Sequence, residues 1–285
     1  MSGAALVLSG GGSKGAFQVG ALKYFAEQNY TYNKFCGVSV GAINAAHLAM
    51  HKDFAKGVES LERLWLDLNT ESVHRRWFPF GYFHALWKLS ARDSSPLQEL
   101  INCKFDIAKL RETGNKLYVG AVSLRTREYR LFDQDCPNIV EAIIGSSAFP
   151  GMLEPGYIED QYWVDGGVRN VTPLKAAIQS GANKIDAIIA SASVGVQLPE
   201  PKNVLNVLMT TLEILVDEVL INDIKMAEMY NRLLSVGALE DKRVIELRKV
   251  ISLNPLPGDS LEFNPTDIKC MIAMGYEAAR RQIGG

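Results

Sequence analysis

The sequence predicts an α/β protein built on a largely parallel, buried sheet. By Met50 the chain has twice run from a short apolar stretch, through glycine, into helical spacing. Parallel strands need such crossover helices, and strands covered on both faces read as continuous apolar runs. The totals agree. The 285 residues, 47% hydrophobic and 22% charged, have the profile of a soluble globular chain long enough for one large domain or two small ones.

In chain order, Ala4–Ser9 is the first strand, ending at Gly10, Gly11 and Gly12, and a helix begins at Gly15 with Phe17, Ala21, Leu22 and Phe25 on one side. Lys34–Gly37 is the second strand and Ala42–Met50 an Ala-rich helix. Phe54–Leu68 is amphipathic, with Val58, Leu61, Leu64, Trp65 and Leu68 aligned. Leu117–Leu124 and Glu128–Phe132 read as strands joined by Arg125–Thr126–Arg127. Asn138–Ile144 is helical and runs into Ser146–Ser147–Ala148–Phe149–Pro150. Tyr162–Val164 is a short strand ending at Asp165–Gly166–Gly167, Thr172–Gln179 a helix opened by Thr172–Pro173, and Ile185–Ala190 a buried strand. Val204–Leu234 is one long helical pattern, with Leu205, Leu208, Leu212, Leu215, Val219 and Met226 in a stripe that suits core or oligomer contact. Asn264–Gln282 closes the chain as a helix capped by Asn264 or Thr266. With no repeat, low-complexity tract or linker, a single domain over 4–282 is expected.

Several function classes drop out on composition. A formal net charge of −2 and the lack of a Lys/Arg run give no reason to expect nucleic acid. The apolar runs fall short of the roughly 18 residues a membrane span needs. The first of them stops at Ser9–Gly10 without a basic region before it, so no signal peptide and a cytoplasmic location are expected. Cys36, Cys103, Cys136 and Cys270 are scattered, supporting neither a disulfide framework nor zinc. No metal or cofactor is expected.

Three places carry chemistry. Gly10–Gly11–Gly12–Ser13–Lys14–Gly15 lies between strand and helix, where exposed amides and a helix N-terminus favour negative charge, a phosphate or an oxyanion. Its GxGxxG spacing also fits a dinucleotide loop, but the second strand ends at Gly37–Val38–Ser39 rather than at an acid for a ribose. A plain strand-to-helix turn is the simple alternative. Gly37–Val38–Ser39–Val40–Gly41 has the nucleophile-elbow arrangement, glycines flanking a serine on a sharp turn; the alternative is a serine that merely caps its helix. No histidine follows His84, so the late imidazole of a hydrolase-fold triad is missing. His47 and His51 stand at i, i+4 without a third zinc ligand and read as polar helix-surface residues; His74 and His84 receive no role. The base must then be a carboxylate. Asp165, at a strand end before Gly166–Gly167, supplies one, although an Asp–Gly turn is the commoner use of that pair. Its ordinary pKa of about 3.9 requires burial to make it an effective base.

Together GGGSKG, GVSVG and DGG resemble the patatin-like phospholipase family, with its GGGx[RK]G loop, GxSxG elbow and later DGG or DGA in the same order. Ser146–Pro150 and Phe263–Asn264–Pro265, leading into a helix with Gly275–Tyr276, are also similar to family habits, and the resemblance extends over about residues 4 to 280. It implies a three-layer α/β/α fold, related to the acyl-carrier-protein transacylase architecture, and metal-free hydrolysis of lipid acyl esters by a Ser–Asp dyad. On that resemblance Ser39 is the nucleophile, Asp165 the base, and the Gly10, Gly11 and Gly12 amides the oxyanion hole. Lys14, Gly15, Gly37, Gly41, Gly166 and Gly167 support them. The implied partner is a phospholipid or related acyl lipid, met in transient contact with a membrane surface; the oligomeric state is left open. An acyltransferase with a non-water acceptor, or a silent anion-binding protein, is the rival.

One segment stands apart. Residues 73–92 gather Trp77, Phe78, Phe80, Tyr82, Phe83 and Trp87 around Pro79 and Gly81. We expect a helical insertion with these aromatics in its core, a lid or interface-docking patch being the alternative.

Overall fold

The computed structural model describes residues 4–77, 87–190, 200, 246–252 and 254–284, with scattered positions between 207 and 233. β1 (Ala5–Leu8) leads through the glycine loop into α1 (Gly15–Glu27), and β2 (Lys34–Val38) through the elbow into α2 (Val40–Ala49). Helices α3 (Phe54–Leu66), α4 (Thr70–Val73), α5 (Ser95–Lys104) and α6 (Ile107–Thr113) follow. Next come β3 (Lys116–Ser123), β4 (Tyr129–Asp133), α7 (Ile139–Ser146), the hairpin β5 (Gly156–Ile158) and β6 (Gln161–Asp165), α8 (Leu174–Gln179) and β7 (Lys184–Ile189). β8 (Glu246–Ile251) and α9 (Pro265–Ile283) close the described chain, with Asn264 accepting from the Thr266 amide as cap. The reading of 95–113, 156–158 and 246–251 as elements is new to the structure.

One sheet holds eight strands in the order β5-β6-β3-β2-β1-β7-β8, with β4 also on β3. The run β3-β2-β1-β7-β8 is parallel, whereas β4, β5 and β6 join antiparallel. Alternation of side chains splits the core into two layers. Leu6 and Leu8 of β1 pack with Phe17, Phe25, Ala45 and Leu61 of α1–α3 and Met271 of α9. Ala5 and Val7 face the other way, onto Leu174, Ala176 and Ala177 of α8. Val216 and Val219, helical residues of the 207–233 stretch, pack on Val171 and Ile189. The result is a mostly parallel sheet flanked by helices on both faces, as expected. Of the stripe expected over 204–234, Leu215 and Met226 are exposed while Val219 is half-buried, so those two are not core residues of this chain. Leu205, Leu208 and Leu212 lie outside the described residues.

The positioning feature is the edge of β3. β4 occupies one edge along Tyr118–Val122, so β2 and β6 must share the other. β2 pairs as far as Val38↔Gly120, and β6 takes over at Ala121↔Asp165. The residue after β2 and the last residue of β6 therefore meet end to end. They are Ser39 and Asp165.

Phe78 to Ala85 of the aromatic segment, and His84 with them, lie outside the described residues. Its first residues, Val73 and His74, are buried, and the described aromatics lie at its two sides. Trp87 is 90% exposed and Leu89 58%, while half-buried Trp77 donates its indole N–H to the Ser90 carbonyl at 3.1 Å.

Candidate active site

The elbow is tight because two backbones pass where side chains would stand. A Cβ on Gly37 would overlap the Gly41 carbonyl, and one on Gly41 the Leu8 and Ser9 carbonyls. Between them Ser39 has φ 56° and ψ −132°, a conformation an L-residue holds only when its surroundings impose it. Its side chain makes no capping bond to α2, so the simple cap alternative fails. Instead the Ser39 hydroxyl lies on the side of Asp165, near enough to draw that carboxyl's pKa down.

Asp165 is 3% exposed. Burial pushes its carboxyl up to about 6, against the pull of the nearby Ser39 hydroxyl and of the Gly167 amide, which donates to it at 2.8 Å. The Asp–Gly turn that the sequence allowed is thus formed by the same carboxylate. Gly166 packs where a Cβ would overlap the Gly120 carbonyl, and a Cβ on Gly167 would sit 3.0 Å from an Asp165 oxygen.

The glycine loop abuts the serine: a Cβ on Gly10 would lie 3.3 Å from that of Ser39. The loop's three amides are not equivalent. Gly10 donates to the Val171 carbonyl at 3.1 Å, whereas those of Gly11 and Gly12 donate to no protein acceptor among the described residues. Of the expected trio, Gly11 and Gly12 are thus the two whose amides have no protein acceptor among the described residues, and Gly10 is anchored to Val171. Gly12, at φ +57°, needs glycine because Ser260 crowds it. Gly15 is likewise pressed by Val40 and Trp65, with a Cβ falling 2.5 and 2.8 Å from their side chains. Lys14 ends the short turn half-buried, its amide donating to the Gly11 carbonyl at 3.1 Å and its ammonium in no hydrogen bond or ion pair among the described residues.

Sequence reading assigned no mechanical role to Ser146–Ser147–Ala148, yet these residues carry both halves of the pair. The Ser146 hydroxyl accepts from the Ser39 amide at 3.0 Å and donates to the Gly120 carbonyl at 2.6 Å. Ser147 donates to the Ser39 carbonyl at 3.3 Å, and the Ala148 carbonyl accepts the Asp165 amide at 3.0 Å. A further buried chain backs the loop. Gln18 donates to the Ser9 carbonyl at 2.8 Å, Asn44 to Gln18 at 2.9 Å, and the Trp65 indole to Asn44 at 2.9 Å.

The histidines stand apart from this. His47 is not a surface residue: it is buried, stacked on His51 at 5.0 Å, with burial lowering its pKa to about 4. Half-buried His51 sets Nδ1 2.9 Å from the His47 carbonyl. His74 is buried with Nε2 2.8 Å from the Leu261 carbonyl. Among the described residues no cluster of His, Cys, Asp and Glu is arranged to hold a metal ion, and no helix is long and apolar enough to cross a membrane.

Comparison with known proteins agrees with the strings. The chain is 28% identical to the uncharacterized protein YjjU of Escherichia coli (strain K12) over 192 residues, 65% of this chain and 51% of that one. It thus spans about half the length of that curated relative. The crystal structure of VipD from Legionella pneumophila aligns with 100% of this chain and 67% of its own, at 16% identity and a TM-score of 0.46. The model of the patatin-like phospholipase family matches residues 6–178, a span that holds the glycine loop, the elbow and the Asp–Gly–Gly turn. The chain belongs to the patatin-like phospholipase family.

Proposed function

We propose that this protein is a serine esterase of the phospholipase A type that hydrolyses carboxylic esters of phospholipids or related acyl lipids. The observation that carries the proposal is the strained turn that holds Ser39 at the end of β2, set against the end of β6 where the Asp165 carboxylate is buried. A carboxylate with its pKa near 6 is ionised at neutral pH yet more basic than one in water, which suits a general base.

In the reaction we infer, Ser39 Oγ attacks the ester carbonyl carbon as Asp165 takes its proton. The oxyanion that forms is held by the Gly11 and Gly12 amides and by the dipole at the start of α2. Collapse breaks the bond to the leaving oxygen, which receives the proton from Asp165 and departs as an alcohol or lysophospholipid. Water then attacks the acyl-enzyme while giving a proton to Asp165. That proton returns to Ser39 as the fatty acid leaves. The unit responsible is proposed to be one domain over 4–282, acting in the cytoplasm and at membrane surfaces.

The test is labelling of the purified protein by a fluorophosphonate, with fatty-acid release from mixed phospholipids in the absence of an acyl acceptor. Both should vanish in Ser39→Ala. Absence of labelling by several probes in folded protein would sink the proposal, and release only with an alcohol or thiol acceptor would favour an acyltransferase.

A further inference from the structure

Ser13, the fourth residue of the glycine string, is fully buried and has no part in the scheme above. Its amide donates to the Ser260 carbonyl at 2.8 Å and its hydroxyl to the Asp259 carbonyl at 2.9 Å. Next to it, Gly12 lies so close to Ser260 that a Cβ would overlap that carbonyl. Two successive carbonyls from the far end of the chain thus grip the turn that carries the free amides.

The gripping loop is itself held. The Asp259 carboxylate accepts the Leu261 amide at 2.8 Å, and the Phe263 amide donates to the Thr70 hydroxyl at 2.9 Å. The Phe263 ring stacks on Trp65 with centroids 6.0 Å apart, and Trp65 bonds Asn44, which in turn donates to the Gly15 carbonyl at 3.3 Å. Both ends of the glycine turn are therefore tied to the 259–263 loop, which lies outside the region matched by the family model. Glycines restrict their own backbone least, so the direction of the Gly11 and Gly12 N–H groups must be imposed from outside.

We propose that Ser13 and the Asp259–Phe263 loop are positioning elements that aim the Gly11 and Gly12 amides at the developing oxyanion. Neither touches the substrate; they act through the loop. This rests on the esterase reading above. A displacement of about 1 Å in a catalytic group can cost about 10²-fold in rate, so loosening the clamp lowers turnover rather than binding.

The experiment compares wild type, Ser13→Ala, Asp259→Ala and Asp259→Asn on a short-chain p-nitrophenyl ester, with kcat, KM, melting midpoint and pH profile for each. Ser13→Ala should lose roughly 10- to 100-fold in kcat with KM within about twofold, the pattern of a transition-state contact. Asp259→Ala should fall in the same direction, and Asp259→Asn should recover most of it, since an amide oxygen still accepts from Leu261. The acid limb of the profile should stay in place in all three, because Asp165 and its partners are untouched. Asp259 is exposed, so its pair of variants decides the matter if Ser13→Ala does not fold. An active wild type with variants within about twofold in kcat, or an Asp259→Asn as impaired as Asp259→Ala, overturns this inference alone. A wild type inert toward esters overturns the esterase reading and this inference with it.

Discussion

At the scale of single residues, Asp165 sets two opposite demands. As the proposed base it must be ionised, so kcat/KM should fall as pH drops through about 6, not through the ordinary carboxylate range near 4. A pH–rate profile on a soluble ester checks this. Its effect on stability has the other sign. Its folded pKa is raised, so the folded state holds the proton more tightly, and this contribution is present below about 4 and lost as pH rises through about 6. Asp165→Asn, which cannot ionise, should therefore lose activity by about 10³-fold or more yet melt at a higher temperature than wild type at pH 8. That advantage should shrink as pH falls from 6 to 4, which thermal melts across pH would show. Ser39 and Asp165 were nameable from sequence because a strained elbow and the lack of any late histidine leave few partners. Ser146 was not, because its role depends on the Ser39 amide and the Gly120 carbonyl, both more than twenty residues away.

At the scale of elements, legibility followed burial. The strands β1, β2 and β7 are buried along nearly their whole lengths and, where buried, apolar but for Asp186 of β7, and were read correctly. β8 is an edge strand whose Glu246, Arg248 and Lys249 make it look like solvated chain. β5 escaped because its two-residue turn, Glu159–Asp160, takes φ values of 51° and 58° without the Asn or Gly that announces such turns. Helix α9 crosses α1 with their backbones in close contact. A Cβ on Gly20 would overlap the Ile272 carbonyl, and one on Gly275 the Phe17 carbonyl. Backbone cannot yield as a side chain can. Gly275→Ala should thus destabilise by about 1–3 kcal/mol or more, read from a shifted denaturation midpoint at constant m-value.

Across the whole molecule, the N-terminal half is bound to the C-terminal strand by a charged cluster. Asp186 of β7, 2% exposed, takes both Arg248 Nε and Nη2 at 2.6 and 2.7 Å and the Tyr32 hydroxyl at 2.6 Å. Arg248 also lies over the Tyr30 ring. Removing the cation leaves a buried carboxylate uncompensated, so Arg248→Met should cost about 3–5 kcal/mol, visible as a lowered melting midpoint. Because the pair pairs strands away from Ser39, the folded fraction of that variant should keep its kcat.

Sequence alone carried the strings that mark the family and suggest its chemistry: a serine between glycines, a late Asp–Gly–Gly, and no histidine after His84. Such strings specify backbone shape within a few residues, and that shape is local. The tertiary structure decided what depends on pairing across the chain. It brought β6 onto the edge of β3 where β2 ends, which is why Ser39 meets Asp165. It spent the Gly10 amide on Val171, and it set the Ser260 carbonyl against Ser13, some 250 residues away in sequence. Register and long-range hydrogen bonding arise from the whole packed sheet, and no local motif encodes them.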